Sequence, residues 1–128
     1  MNHMKLDGLI PMLETADLAR TIDHYTRTLG FELDATWPAE GDPVWCRLVA
    51  GDVVLMFTTR DPSLPPAPPT LTGQLYCYPH DVDALWEALR ERVEVVSPLA
   101  DWDHGMREFQ IRDCNGYVLR FGQPIEDE

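Results

Sequence analysis

Residues 51–57 read GDVVLMF and residues 116–121 read GYVLRF. Each is a glycine-led turn running into a strand of alternating or near-continuous apolar residues. The same ending twice in 128 residues suggests an internal repeat, and the flanking sequence supports it.

Before the first ending, residues 8–14 (GLIPMLE) read as a strand. Pro11 removes a ladder donor, which places that strand at an edge or a bend. Asp17 is a good helix N-cap, and Leu18, Ile22, Tyr25 and Leu29 then share one helical face, with Gly30 as the stop. Strands are predicted over 31–37, 43–49 and 52–58, with Ala50-Gly51 as a tight turn. Before the second ending the order returns. A strand is predicted over 73–78. Asp81 caps a helix with Val82, Leu85, Trp86 and Leu89 on its apolar side. Strands are predicted over 93–97, 106–112 and 117–122, the last two joined by Asp113-Cys114-Asn115-Gly116, where Asn-Gly is a strong turn signal. Both halves therefore read strand, helix, three strands. Between them, residues 59–72 (TRDPSLPPAPPTLT) are too rich in proline for helix or strand and read as a stiff connector.

This predicts an α+β fold of two βαβββ modules in one domain over residues 1–128. Module one covers 8–58, the linker 59–72, module two 73–122, and an acidic tail 123–128. The strands form a curved mixed sheet around a cleft, with the helices on its outer face.

Bulk composition narrows the function. Apolar residues make up 45% of the chain, an ordinary globular value. No apolar run reaches the ~18 residues of a membrane span, and no secretory leader is evident, so a soluble cytoplasmic protein is expected. Cys46, Cys77 and Cys114 are odd in number and read as reduced thiols. A net charge of −12 argues against a nucleic-acid partner, which would demand Lys and Arg, and suits a cationic ligand. It also suits a merely solubilising acidic surface.

Residues 104–113 (HGMREFQIRD), followed by Asn115-Gly116, carry the most specific signal. They closely resemble the "G-x-REF-x-x-R-D-P-x-G" ending of bleomycin-resistance proteins, with Cys114 where that pattern has proline. Ile10-Pro11-Met12-Leu13 and Tyr25 with Leu29-Gly30-Phe31 are also similar to that subfamily. Over nearly its whole length the chain resembles the vicinal oxygen chelate superfamily, the glyoxalase, bleomycin-resistance and dioxygenase fold. The resemblance implies a homodimer whose clefts lie across the subunit interface, with the arm before Pro11 exchanged between subunits.

Enzymes of that superfamily hold a divalent metal at four inward positions. The resemblance maps these onto Ile10, Met56, Gln74 and Arg120. A hard divalent ion needs converging oxygen or nitrogen donors. Ile10 has none, Met56 is a soft thioether, Arg120 is a permanent cation, and Gln74 alone cannot hold an ion. No metal or other cofactor is expected.

Strand alternation turns Val54, Met56, Gln74, Tyr76, Tyr78, Glu108, Gln110, Val118, Arg120 and Gly122 toward the cleft, together with Trp45 and Arg47. Aromatic and thioether groups with a few polar ones suit a small-molecule site. Tyr76 and Tyr78 match aromatic positions of bleomycin-resistance proteins and could stack on planar or cationic groups, although tyrosine is also favoured in any strand. Trp102 and His104 lie on the loop leading into the REF strand. Glu108 could serve as an acid or base, or pair with Arg47, Arg107 or Arg120. His3, His24 and His80 have local explanations, and no catalytic triad is indicated by spacing. The expected ligand contacts are therefore Trp45, Arg47, Met56, Gln74, Tyr76, Tyr78, Trp102, His104, Glu108, Gln110 and Arg120. The expected function is sequestration of a cationic or aromatic compound, as bleomycin-resistance proteins sequester antibiotics. The alternative is a metal-dependent lyase or oxidoreductase of the glyoxalase or dioxygenase type.

Overall fold

The computed structural model describes residues 4–125. His3 and the end of the acidic tail, 126–128, lie outside the described residues. Two βαβββ modules follow one another. Module one holds β1 (Met12–Thr15), α1 (Leu18–Asp23), β2 (Glu32–Trp37), β3 (Trp45–Ala50) and β4 (Val53–Thr59). Module two holds β5 (Leu75–Cys77), α2 (Val82–Leu89), β6 (Glu94–Asp101), β7 (Met106–Arg112) and β8 (Val118–Pro124). The strands pair within modules, giving two four-stranded mixed sheets ordered β1-β4-β3-β2 and β5-β8-β7-β6.

The repeat is numerically tight. A shift of 64 residues carries the parallel pair Met12–Met56 onto Tyr76–Arg120, and the N-cap Asp17 onto Asp81. Both aspartates cap as expected, Asp17 accepting from the Arg20 amide and Asp81 from the Ala84 amide. Helix α1 widens into a π-type turn over His24–Thr28 and stops at Gly30, whose φ of 81° is open to glycine at no steric cost.

Two boundaries moved for physical reasons. Pro11 lies just before β1 and contributes only its carbonyl, which accepts from the Met56 amide. Strand β6 runs on through Pro98 to Asp101, past its predicted end at Ser97. It does so because β6 is an edge strand and its register slips on either side of Ser97, so the missing proline donor costs no ladder bond.

The sheets bury alternate residues against the helices: Cys46 and Leu48 from β3, Leu55 and Phe57 from β4, Phe109 and Ile111 from β7, Leu119 and Phe121 from β8. One hydrophobic cluster runs through both modules. Polar contacts also cross between them. The Tyr25 hydroxyl donates to Asp113 Oδ2 at 2.7 Å, the Tyr117 hydroxyl to the Glu14 carbonyl at 2.7 Å, and Thr15 Oγ1 to Asn115 Oδ1 at 2.8 Å. The proline-rich connector is pinned to β1 through Arg60, which donates to the Pro65 carbonyl and pairs with Glu14 at 3.0 Å. Among the described residues no helix is long and apolar enough to cross a membrane.

Candidate functional site

With Leu119 and Phe121 committed to the core, Val118, Arg120 and Gly122 must point to the opposite, open face of the second sheet. Neighbouring strands bring Gln74 and Tyr76 to one side of Arg120, and Glu108 and Gln110 to the other. The side chains interlock. Gln74 Nε2 donates to Gln110 Oε1 at 3.0 Å. The Tyr76 hydroxyl donates to Glu108 Oε2. His104 Nε2 stands 3.3 Å from the same oxygen, and an Arg120 terminal nitrogen lies 3.5 Å from Oε1. The Trp102 ring covers Arg120, with its centroid 5.8 Å from the guanidinium carbon.

Glu108 is the centre of this group. Its side chain is 1% exposed, and its Oε1 has no hydrogen-bond partner. Burial pushes its carboxyl up, but bonds from Tyr76 and His104 and the Arg120 charge outweigh that and hold it below its ordinary value. Tyr76 moves the other way: burial, then the bond to Glu108 and the Glu108 charge, push it up to about 12. Of the three arginines expected as partners for Glu108, only Arg120 reaches it. Arg107 pairs instead with Asp83 at 2.9 Å and Asp101 at 2.8 Å, and Arg47, on the first sheet, with Asp34 at 3.3 Å.

The tyrosine shift has a testable sign. Stability from keeping the Tyr76 proton is fully present below its ordinary value of 10.0 and is lost as pH rises through about 12. Tyr25, raised by burial and by Asp113, adds to the same alkaline decline. Thermal melts across that range should show Tyr76→Phe losing less stability than the parent. An identical decline would mean that Tyr76 does not hold its proton against Glu108.

Gly122 is a site residue whose importance could not be read from sequence. An added Cβ there would fall inside the Tyr76 hydroxyl and 3.1 Å from Glu108 Cγ, so only glycine lets the Tyr76 ring lie down onto Glu108. Alternation showed that Gly122 faces the cleft, but nothing local showed that Tyr76 lies over it.

The remaining expected residues lie elsewhere. Trp45, Arg47 and Met56 occupy the matching open face of the first sheet, because Cys46, Leu48, Leu55 and Phe57 take the core side. Tyr78 lies past the end of β5 and is 73% exposed. Its ring still touches Tyr76, centroids 5.0 Å apart, while its other side lines a separate cavity beside α2.

The donor chemistry does not fit a hard divalent ion. Met56 and Arg120 face the open sides, and Gln74 is engaged with Gln110. Among the described residues no three His, Cys, Asp or Glu side chains converge as a metal set.

Comparison with known proteins gives a consistent picture. The family model described as the glyoxalase/bleomycin resistance protein/dioxygenase superfamily matches residues 5–121. TnmS3, an antibiotic binding protein from Streptomyces sp. CB03234, is 28% identical over 95% of this chain and 99% of its own, with a TM-score of 0.76. A glyoxalase/bleomycin resistance protein from the same organism is 27% identical over 89% and 97%, with a TM-score of 0.69. TioX from Micromonospora sp. ML1 shares the fold at 24% identity over 91% and 98%, with a TM-score of 0.77. No curated protein sequence matches the chain.

Proposed function

Given that this chain belongs to the glyoxalase/bleomycin resistance protein/dioxygenase superfamily, we propose that it binds and sequesters a small aromatic molecule without a metal. The observation that carries this reading is the Arg120 site. A guanidinium stands where a metal donor would be needed, tied to Glu108 below and stacked under Trp102 above. Such a group repels a divalent cation and supports a stacked organic ring. Exposed aromatic area lies beside it in Tyr76, Tyr78 and Trp102. The likeness to TnmS3 supports an antibiotic as the ligand class.

Charge works at two ranges. The net −12 draws cations toward the molecule as a whole. At the site itself the Glu108 charge is already answered by Arg120, so stacking rather than ion pairing holds the ligand. Each open face belongs to one module, and a homodimer would set the first sheet of one copy over the second sheet of the other. The exposed apolar arm residues Met4, Leu6 and Leu9 suit exchange between such copies.

Titration with bleomycin and with other aromatic antibiotics, followed by tryptophan fluorescence, tests the proposal. Saturable quenching at micromolar ligand, reduced when Trp102 is replaced by leucine, is the expected result. No response to any of these compounds would sink the antibiotic reading. Stoichiometric Ni, Zn, Mn or Fe in the purified protein would instead favour the lyase or oxidoreductase alternative.

A further inference from the structure

The 64-residue shift makes a comparison possible between two junctions of the same design. In each, a helix of one module meets the last hairpin turn of the other. One junction is full. There Thr15, Thr21, Tyr25, Asn115 and Tyr117 fill the space between α1 and the β7–β8 turn, and Asp113 closes it by accepting from Tyr25 and from the Asn115 and Tyr117 amides. At the other junction the equivalent positions are Pro79, Leu85, Leu89, Gly51 and Val53. Each is apolar, and apart from Pro79 and Leu85 each is smaller than its counterpart. Asp113 has no counterpart there, because the β3–β4 turn from Val49 to Val54 is one residue shorter than the β7–β8 turn from Arg112 to Val118. All five of these residues line a cavity of 320 Å³, a volume at the small end of ligand sites.

We infer that this junction is a second binding site, separate from the open face of the second sheet, for a compact uncharged aromatic molecule carrying one hydrogen-bond donor. The walls define the ligand. Leu29, Phe31, Leu85, Leu89 and Phe121 give an apolar interior in which a charge would lose its hydration without recompense. The ionisable groups among its lining residues are Asp52, Cys77, Tyr78 and His80. Asp52 offers an acceptor to a phenolic or indolic donor and disfavours an anion. Tyr78 lines this cavity and also touches Tyr76, so the two sites share one ring.

The probe is 4-fluorophenol, followed by fluorine NMR and by methyl shifts of the protein. Saturable binding is expected, with shifts at the Leu85, Leu89 and Val53 methyls. Shifts confined to the Val118 methyls of the second sheet's open face, or to the Met12 and Met56 methyls of the first sheet's, would overturn the assignment, as would the absence of saturation. Val53→Tyr copies Tyr117 of the filled junction and should weaken binding at least tenfold. Gly51→Asn copies Asn115 and suits the positive φ of 58°, so it serves if Val53→Tyr folds poorly. Undiminished binding in a folded variant of either kind overturns the proposal. Affinity that falls as protein concentration rises would show a second copy covering the junction, which also overturns it.

Discussion

Asp113→Ala is expected to cost about 3–5 kcal/mol of folding stability, measured by urea denaturation. Asp113 is 6% exposed and sits where the modules meet. One carboxylate oxygen accepts from two backbone amides, Asn115 at 2.9 Å and Tyr117 at 2.8 Å, and the other from the Tyr25 hydroxyl at 2.7 Å. Tyr25 is fully buried, so its hydroxyl has no water to turn to. Removing the carboxylate strands three donors at once, and a buried unsatisfied donor costs on the order of 1–3 kcal/mol. Tyr25→Phe removes a single donor and should cost about 1 kcal/mol. In the Tyr25→Phe background, Asp113→Ala should cost less than it does alone, because one stranded group is already gone. A loss below about 1 kcal/mol for Asp113→Ala alone would show that the turn holds its shape without the carboxylate.

The second large effect is expected from Gly122→Ala, at about 2–4 kcal/mol together with at least tenfold weaker ligand binding. The new methyl takes the place of the Tyr76 hydroxyl. A tyrosine ring cannot bend away at its tip, so the whole side chain must rotate and leave Glu108. That strips a hydrogen bond from a buried carboxylate and moves the main stacking surface of the site. The cause can be isolated by a cycle: with Tyr76 already replaced by alanine, Gly122→Ala should change stability by less than about 0.5 kcal/mol. Gly73→Ala, with nothing within 4 Å of its added methyl, is the neutral control. If Gly122→Ala costs as much without Tyr76 as with it, the strain lies in the strand and not in the ring.

The fold was legible because its signals are local and doubled. Asp17 and Asp81 each announce a helix, Gly30 and Asn115-Gly116 each mark an end, and the repeat checks one half against the other. The inward set was legible wherever a strand has a clear apolar parity, as in β4 and β8. Glu108 and Gln110 were placed on the right face, yet their burial was not foreseeable, since it depends on Tyr76, Gln74 and Trp102 arriving from other segments. Sequence could name three arginines for Glu108 but could not choose among them. The choice is made by placement: Arg107 adjoins Glu108 in β7 and so points to the other side, where it pairs with Asp83 and Asp101, and Arg47 lies on the first sheet, paired with Asp34. Tyr78 lies one residue past the end of β5, where the two-residue period no longer fixes direction, and it is its ring contact with Tyr76 that ties it to the site.

Pro98 has a bearing on how the molecule behaves in a crowded solution. Strand β6 is eight residues long and forms the outer border of its sheet, a row of backbone groups that could recruit a strand from any neighbour. Pro98 deletes a donor from that row, and the slips in register around Ser97 bend what remains out of line. A passing chain therefore finds no continuous ladder to extend, so growth of one molecule onto the next into a fibre is blocked at its longest border.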